Sequence, residues 1–231
     1  MGGGAQWGPL HDGLGGDLPL ITLDLPGFGA ATALPAINRI EGLADWVIAE
    51  LHARGITRYH LLGHSMGGMI AQEIARRDAA RIHKLVLYAT GSIGVLPGRF
   101  ETIAQSKARA AQDGPQATAR RISATWFLQR EAAPAYPACA AIAEEASLAA
   151  IQAGLDAMEA WSGRAALGQI AQDTLILWGD QDRTYAWEQI DLLWTQIPST
   201  QLAVVPGCAH AVHLEKPALF NALLRDFLMA P

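Results

Sequence analysis

His60-Leu-Leu-Gly63-His64-Ser65-Met66-Gly67-Gly68-Met69-Ile70-Ala71-Gln72-Glu73-Ile74-Ala75-Arg76-Arg77 is the stretch whose reading decides the fold. Tyr59 to Gly63 is a short β-rich run that stops at glycine, as a buried strand does. From Met66 to Arg77 the period changes. Met69, Ile70 and Ile74 are apolar while Glu73, Arg76 and Arg77 are polar, which is helical spacing. Ser65 falls on the junction between the two. A Gly-x-Ser-x-Gly pattern is weak by itself in a glycine-rich chain, but strand, tight turn and helix in succession are what a nucleophile elbow requires. The turn is expected to be too tight for side chains, hence glycine at 63 and 67. The helix N-terminus then faces the serine, and the Met66 N–H is the expected first oxyanion donor. The competing reading makes Ser65 an N-cap and the glycines mere packing devices.

Reading outward, Leu18 to Asp24 is predicted to be a strand, ended by the Pro26-Gly27-Phe28-Gly29 turn. Asn38 to Arg54 is predicted to be a helix from Ile40, Leu43, Ala44, Val47, Ile48 and Leu51, with Gly55 to stop it. Lys84 to Ala89, Thr174 to Trp178 and Gln201 to Val205 complete five strand candidates. Trp187 to Ile197 and Pro217 to Met229 read as covering helices. Strand and helix alternate, which implies an α/β fold with a mainly parallel sheet and helices on both faces. Between the third and fourth strands lie residues 96–163, rich in Ala, Gln and Arg with helical periodicity. Ordinary crossovers are far shorter, so the segment is expected to be a helical cap inserted into a core formed by 1–95 and 164–231. Trp126, Phe127, Tyr136 and Trp161 are candidates to line its inner face and touch substrate; the alternative is that they only pack the cap.

A serine hydroxyl needs a general base and a carboxylate that orients it. His210 lies just after the last strand, where a loop residue can reach across the sheet end, and is preferred to His213. The loop after the preceding strand holds Asp180 and Asp182. Asp182 is the preferred acid, while Asp180, directly after Gly179, suits bracing of the turn through backbone amides. The chain order Ser65, Asp182, His210 separates this arrangement from unrelated serine hydrolases. His52, His60, His83 and Asp24 receive structural readings.

Composition agrees with an enzyme acting on a small molecule. The chain has 231 residues, 51% of them hydrophobic and 17% charged, which excludes a disordered chain. A net charge of -5 and pI near 5.8, with scattered Lys and Arg, argue against nucleic acid as a partner. Cys139 and Cys208 lack metal-ligand spacing, and no metal site is suggested. No apolar run reaches the roughly 18 residues of a membrane span, and Met1-Gly-Gly-Gly lacks signal-peptide features, so no membrane association and a cytoplasmic location are expected. The residues carry no signal for oligomeric state.

The motifs Asp24-Leu-Pro-Gly-Phe-Gly29, Gly63-His-Ser-Met-Gly-Gly68, Leu177-Trp-Gly-Asp-Gln-Asp182, and Ala209-His210 with Leu214-Glu-Lys-Pro217 resemble those of the α/β-hydrolase superfamily. The chain is similar to its enol-lactone hydrolase, carboxylesterase and meta-cleavage C–C hydrolase group. The resemblance implies attack of Ser65 on a carbonyl carbon, an oxyanion held by backbone N–H groups, and hydrolysis of the acyl-enzyme by water activated at His210. It implies no cofactor and no metal. Ester or lactone cleavage leads, with C–C cleavage or cofactor-free perhydrolysis as relatives of the same chemistry. In the family an early strand ends in a His-Gly pair, and the loop after it supplies the second oxyanion donor. This chain has no such pair. Gly2-Gly-Gly-Ala-Gln-Trp7 resembles that loop, which makes Gly2 the candidate second donor and implies that the N-terminal strands are missing. A binding protein that keeps the fold without turnover is the expectation if that donor is lost.

Overall fold

The computed structural model describes residues 2–99 and 101–230. Four strands form one parallel sheet in chain order: β1 (Tyr59–His64), β2 (Ile82–Tyr88), β3 (Asp173–Gly179) and β4 (Thr200–Val205). Among the described residues ten α-helices surround it: α1 (Gly8–Leu14), α2 (Ile40–Ala53), α3 (Met66–Arg77), α4 (Ile103–Asp113), α5 (Pro115–Ala124), α6 (Tyr136–Ala143), α7 (Leu148–Glu159), α8 (Trp187–Gln196), α9 (Val212–Glu215) and α10 (Pro217–Met229).

Successive side chains of a strand leave opposite faces, and β2 makes the layers plain. Leu85 and Leu87 enter a core built with Leu43 of α2, Ile74 of α3 and Ile190 of α8. Val86 and Tyr88 enter the opposite core with Leu14 of α1 and Phe220 and Leu224 of α10. Lys84 breaks the apolar run yet is buried, because its Nζ donates to the Phe227 and Ala230 carbonyls at 2.9 and 2.7 Å. A cation there satisfies orphan carbonyls at the C-terminal end of α10.

Four helices, α4 to α7, occupy the interval between β2 and β3. Thr102 and Gln105 form a reciprocal capping box at the start of α4, and Ser147 caps α7. Helices α4 and α7 pack onto the Pro26–Gly27–Phe28 turn: Phe28 is buried against Ile103, Ala110, Ile151 and Leu155. A Cβ built on Gly154 of α7 would come within 3.6 Å of the Met66 Sδ, so α7 lies over the start of α3.

Two sequence expectations need correction. Leu18 to Asp24 is not a strand: residues 19–25 have no regular structure and pair with nothing. A strand exists only through a hydrogen-bonded neighbour, and its nearest candidate, the outer edge of β1, lies across a cavity of about 560 Å³. Leu20 and Leu23 line one side of that cavity and Leu61 and Leu62 of β1 line the other. The second correction concerns the turn glycines. A Cβ at Gly63 would lie 2.2 Å from the Gly67 carbonyl oxygen and 2.8 Å from the Ala71 Cβ, whereas one at Gly67 meets nothing within 4 Å. Gly63 is required by close approach of strand and helix; Gly67 borders open cavity.

Gly63→Ala is therefore expected to destabilise the fold by about 1–3 kcal/mol through overpacking. Gly67→Ala is expected to leave stability within about 1 kcal/mol, since it replaces glycine by a better helix former. Urea unfolding midpoints of the two variants check the contrast.

Candidate active site

Ser65 joins β1 to α3 with φ 55° and ψ −121°, a left-handed conformation rare for a residue with a side chain. The turn is held on both sides. The Ser65 N–H donates to the Tyr88 carbonyl at 3.0 Å. The Ser65 carbonyl accepts from Thr90 Oγ1 at 2.7 Å and from the Gly68 N–H at 2.9 Å. Tyr88 ends β2 and Thr90 follows it by two residues, so the neighbouring strand and the loop leaving it brace the elbow. The Met66 N–H opens α3 and has no acceptor among the described residues.

The loops after β3 and β4 meet beside this turn. Asp182 Oδ1 accepts the Thr184 and Tyr185 N–H groups at 2.7 and 3.3 Å, which fixes the carboxylate in its own loop. Its Oδ2 faces His210 Nδ1 at 2.8 Å, with both side chains at 1% exposure or less. Asp180 accepts from the Gly207 and Cys208 N–H groups, tying the β3 loop to the β4 loop. Glu215 adds a second tie: its carboxylate accepts from Ala209 N–H at 2.6 Å and from Leu128 N–H at 2.7 Å.

The backbone of His210 is pinned as firmly as its ring. Its carbonyl accepts from the Tyr88 hydroxyl and from His64 Nε2, each at 3.0 Å. His213 does not reach Asp182; its Nδ1 lies 3.0 Å from the Tyr88 hydroxyl, and Trp7 stacks on its ring at 4.6 Å. Burial, with the nearby His210, depresses the His213 imidazole to about 3. Burial likewise holds His64 well below the ordinary histidine value, with His210 and His213 adding to the effect. Burial raises the Cys139 thiol to about 12 and Cys208 to about 11, so both stay neutral packing groups.

Ser65, Met66 and Gly2 line the same cavity, together with Trp126. Trp126 is the cap aromatic whose ring faces His210, with centroids 5.9 Å apart. The other three occupy structural places. Trp161 is buried on the far side of α3, where its Nε1 donates to Glu73 Oε1 at 3.0 Å. Phe127 is fully buried beside Ala211, and Tyr136 stands edge-on to it. Asp24 holds Gly4 N–H at 2.6 Å and Ala30 N–H at 3.2 Å, joining the N-terminal glycines to the turn at Gly29.

Several residues that shape the site escaped sequence reading. Tyr88 ends a strand and Trp7 ends a short 3-10 turn just before α1, and no spacing relates either to His210. His64 occupies a variable position of the elbow pattern, and Glu215 lies within a quoted motif whose role only its two hydrogen bonds reveal.

A model of the alpha/beta hydrolase family matches residues 2–223. The chain belongs to that family. Among relatives of this alpha/beta hydrolase, the pimeloyl-[acyl-carrier protein] methyl ester esterase of Yersinia enterocolitica is 29% identical, covering 96% of this chain and 87% of its own length. The 2-hydroxy-6-oxo-6-phenylhexa-2,4-dienoate hydrolase of Burkholderia cepacia is 28% identical over 90% of this chain and 76% of its own. A thermophilic esterase from Thermogutta terrifontis shares the fold, with TM-score 0.89 and 23% identity over 99% of this chain and 86% of its own. Among the described residues, no single helix is long and apolar enough to cross a membrane.

The neutral buried imidazoles have a consequence for stability. Unfolded, His64 and His213 take up protons as pH falls below about 6.5; folded, they do not, so the stability they permit is present above 6.5 and declines on acidification toward the folded value near 3 for His213. Each contributes a slope approaching about 1.4 kcal/mol per pH unit below 6.5. Urea unfolding between pH 7.5 and 5 is expected to show this fall, and His213→Phe to reduce its slope.

Proposed function

We propose that this alpha/beta hydrolase is a serine hydrolase that cleaves a small carboxylic ester or lactone through an acyl-enzyme on Ser65. The observation that carries the reading is the His210–Asp182 pair, 2.8 Å apart, dry, and set beside a serine held at φ 55°. With Nδ1–H donated to Asp182, His210 presents Nε2 as the base, and the carboxylate stabilises the imidazolium that forms when Ser65 gives up its proton. Ser65 Oγ adds to the substrate carbonyl, and the oxyanion is held by the Met66 N–H at the positive end of α3. Gly2, which lines the same cavity, is the proposed second donor. His210 then returns its proton to the leaving alcohol oxygen. A water deprotonated by the same imidazole releases the acid and restores Ser65. Trp126 supplies an apolar wall for the acyl group. The likeness to an enzyme named as a methyl ester esterase supports ester cleavage. The likeness to one named as a phenylhexadienoate hydrolase gives C–C cleavage as the second reading.

A fluorophosphonate is expected to add once to the wild type by intact mass and not at all to Ser65→Ala. An unmodified wild type would overturn the proposal in favour of a binding protein. Asp182→Asn is expected to lower kcat on a p-nitrophenyl ester by up to about 10⁴-fold, through the wrong histidine tautomer. Faster turnover of a vinylogous diketone than of esters and lactones would decide for C–C cleavage.

A further inference from the structure

Glu215 is the last residue of α9, and its side chain turns back on the loop that the chain has just left. α9 starts at Val212, two residues after His210, and one turn returns the chain, with the Glu215 N–H donated to the Ala211 carbonyl at 3.0 Å. The two carboxylate oxygens then serve two different parts of the molecule. Oε2 accepts the Ala209 N–H at 2.6 Å, immediately before His210. Oε1 accepts the Leu128 N–H at 2.7 Å, two residues after Trp126 in the cap. The same two segments meet directly at a second point, where the Ala211 N–H donates to the Trp126 carbonyl at 2.9 Å. Residues 126–128 and 209–211 are thus joined at both ends, once backbone to backbone and once through the carboxylate.

Each joined segment carries a group that faces the serine cavity. Trp126 lines that cavity with Ser65, and its ring faces His210 with centroids 5.9 Å apart. Arg183, next to Asp182, also donates to the cap, to the Phe127 and Leu128 carbonyls, but at 3.4 and 3.3 Å and from the end of a long side chain. The Glu215 bonds are short, charge-assisted and made to backbone on both sides, which makes them the stronger restraint. The residue type matters as well. Two N–H donors need two acceptor oxygens, and a carboxamide of the same shape offers one and turns an NH₂ toward the other donor.

We propose that Glu215 is a positioning residue that locks the base loop to the cap, so that one carboxylate sets both where His210 stands and how closely Trp126 approaches the acyl group. The 126–128 segment is then no independent lid: it moves with residues 209–211 or not at all. Loosening the cap at this point displaces the base, and loosening the base loop alters the choice of acyl group. No proton or bond is exchanged at Glu215, which acts only through the backbone it holds. This inference rests on His210 being the base and on Trp126 walling the acyl group.

Glu215→Gln keeps the shape and removes one acceptor. The kcat on p-nitrophenyl acetate is expected to fall about tenfold, as for a modest displacement of a reacting group. The ratio of kcat/KM for the hexanoate to that for the acetate is expected to move by about threefold or more, since only the longer acyl chain reaches along the wall. A purely stabilising role would lower Tm and leave that ratio alone, because the ratio does not depend on how much enzyme is folded; an unmoved ratio overturns the proposal. If the Gln variant does not fold, replacing Leu128 by its α-hydroxy acid analogue removes only the N–H that Oε1 accepts, and the same two changes are expected. The coupling is also read without turnover. In the hydroxy-acid variant the proton resonance of the His210 Nδ1–H shared with Asp182 and the ¹⁹F resonance of 5-fluorotryptophan at 126 should move together. Only the cap bond is cut there, so a moved fluorine beside an unmoved His210 proton overturns the proposal. A wild type that resists fluorophosphonate strikes the hydrolase reading alone and leaves the coupling to be decided by the two resonances.

Discussion

Strand β1 and helix α3 cross so closely that residue 63 has no room for a Cβ, and much of the rest follows from that contact. Because the helix must begin immediately, Ser65 is left as the only residue between the two elements and takes up a left-handed backbone. Such a conformation is costly for a side-chain-bearing residue and persists only when neighbours over-determine it. Here the end of β2 does so, through the Tyr88 carbonyl and the Thr90 hydroxyl. The parallel register of β1 and β2, with His64 opposite Tyr88, sets both partners at the right height. A slip by one residue would turn Val86 and Tyr88 into the wrong core and remove both braces together.

The loops at the same sheet end are secured by a different device, buried polar groups that serve backbone atoms. Asp180 and Glu215 each collect two N–H groups, and the Tyr88 hydroxyl and His64 imidazole converge on one carbonyl, that of His210. Desolvation makes such groups expensive unless each is paired, and once paired they leave few alternative loop conformations. The His64 and His213 imidazoles in this layer are kept neutral by burial, which makes the layer vulnerable in acid.

How much of this was legible in the sequence follows from the reach of each signal. β2 and β3 were legible because continuous apolar runs bounded by glycine report burial on both faces, β1 and β4 because shorter apolar runs between turn residues mark strands even at the sheet's edges, and α2, α3, α8 and α10 because their apolar stripes report one covered face. Leu18 to Asp24 carries the same β-rich composition, yet composition is silent on whether a neighbouring strand exists to complete a ladder. For the site, chain order and loop position sufficed to bring Asp182 and His210 to within hydrogen-bond distance. The cap aromatics show the limit: residue type announced that Phe127 and Trp161 would be buried, but only packing could decide that Trp161 turns toward Glu73.

The open flank of β1 ties the cavity beside Ser65 to the state of the sheet. Its outer backbone groups have no partner among the described residues, and apolar side chains from both helical layers, Ile70 on one and Leu224 on the other, already wall the space beside it. An unprotected edge with such walls is a template for a further extended segment. Because Ser65 lines the same cavity, a polypeptide lodged against β1 would redraw the space in front of that side chain. Pairing at this edge and access to Ser65 would thus draw on a single volume.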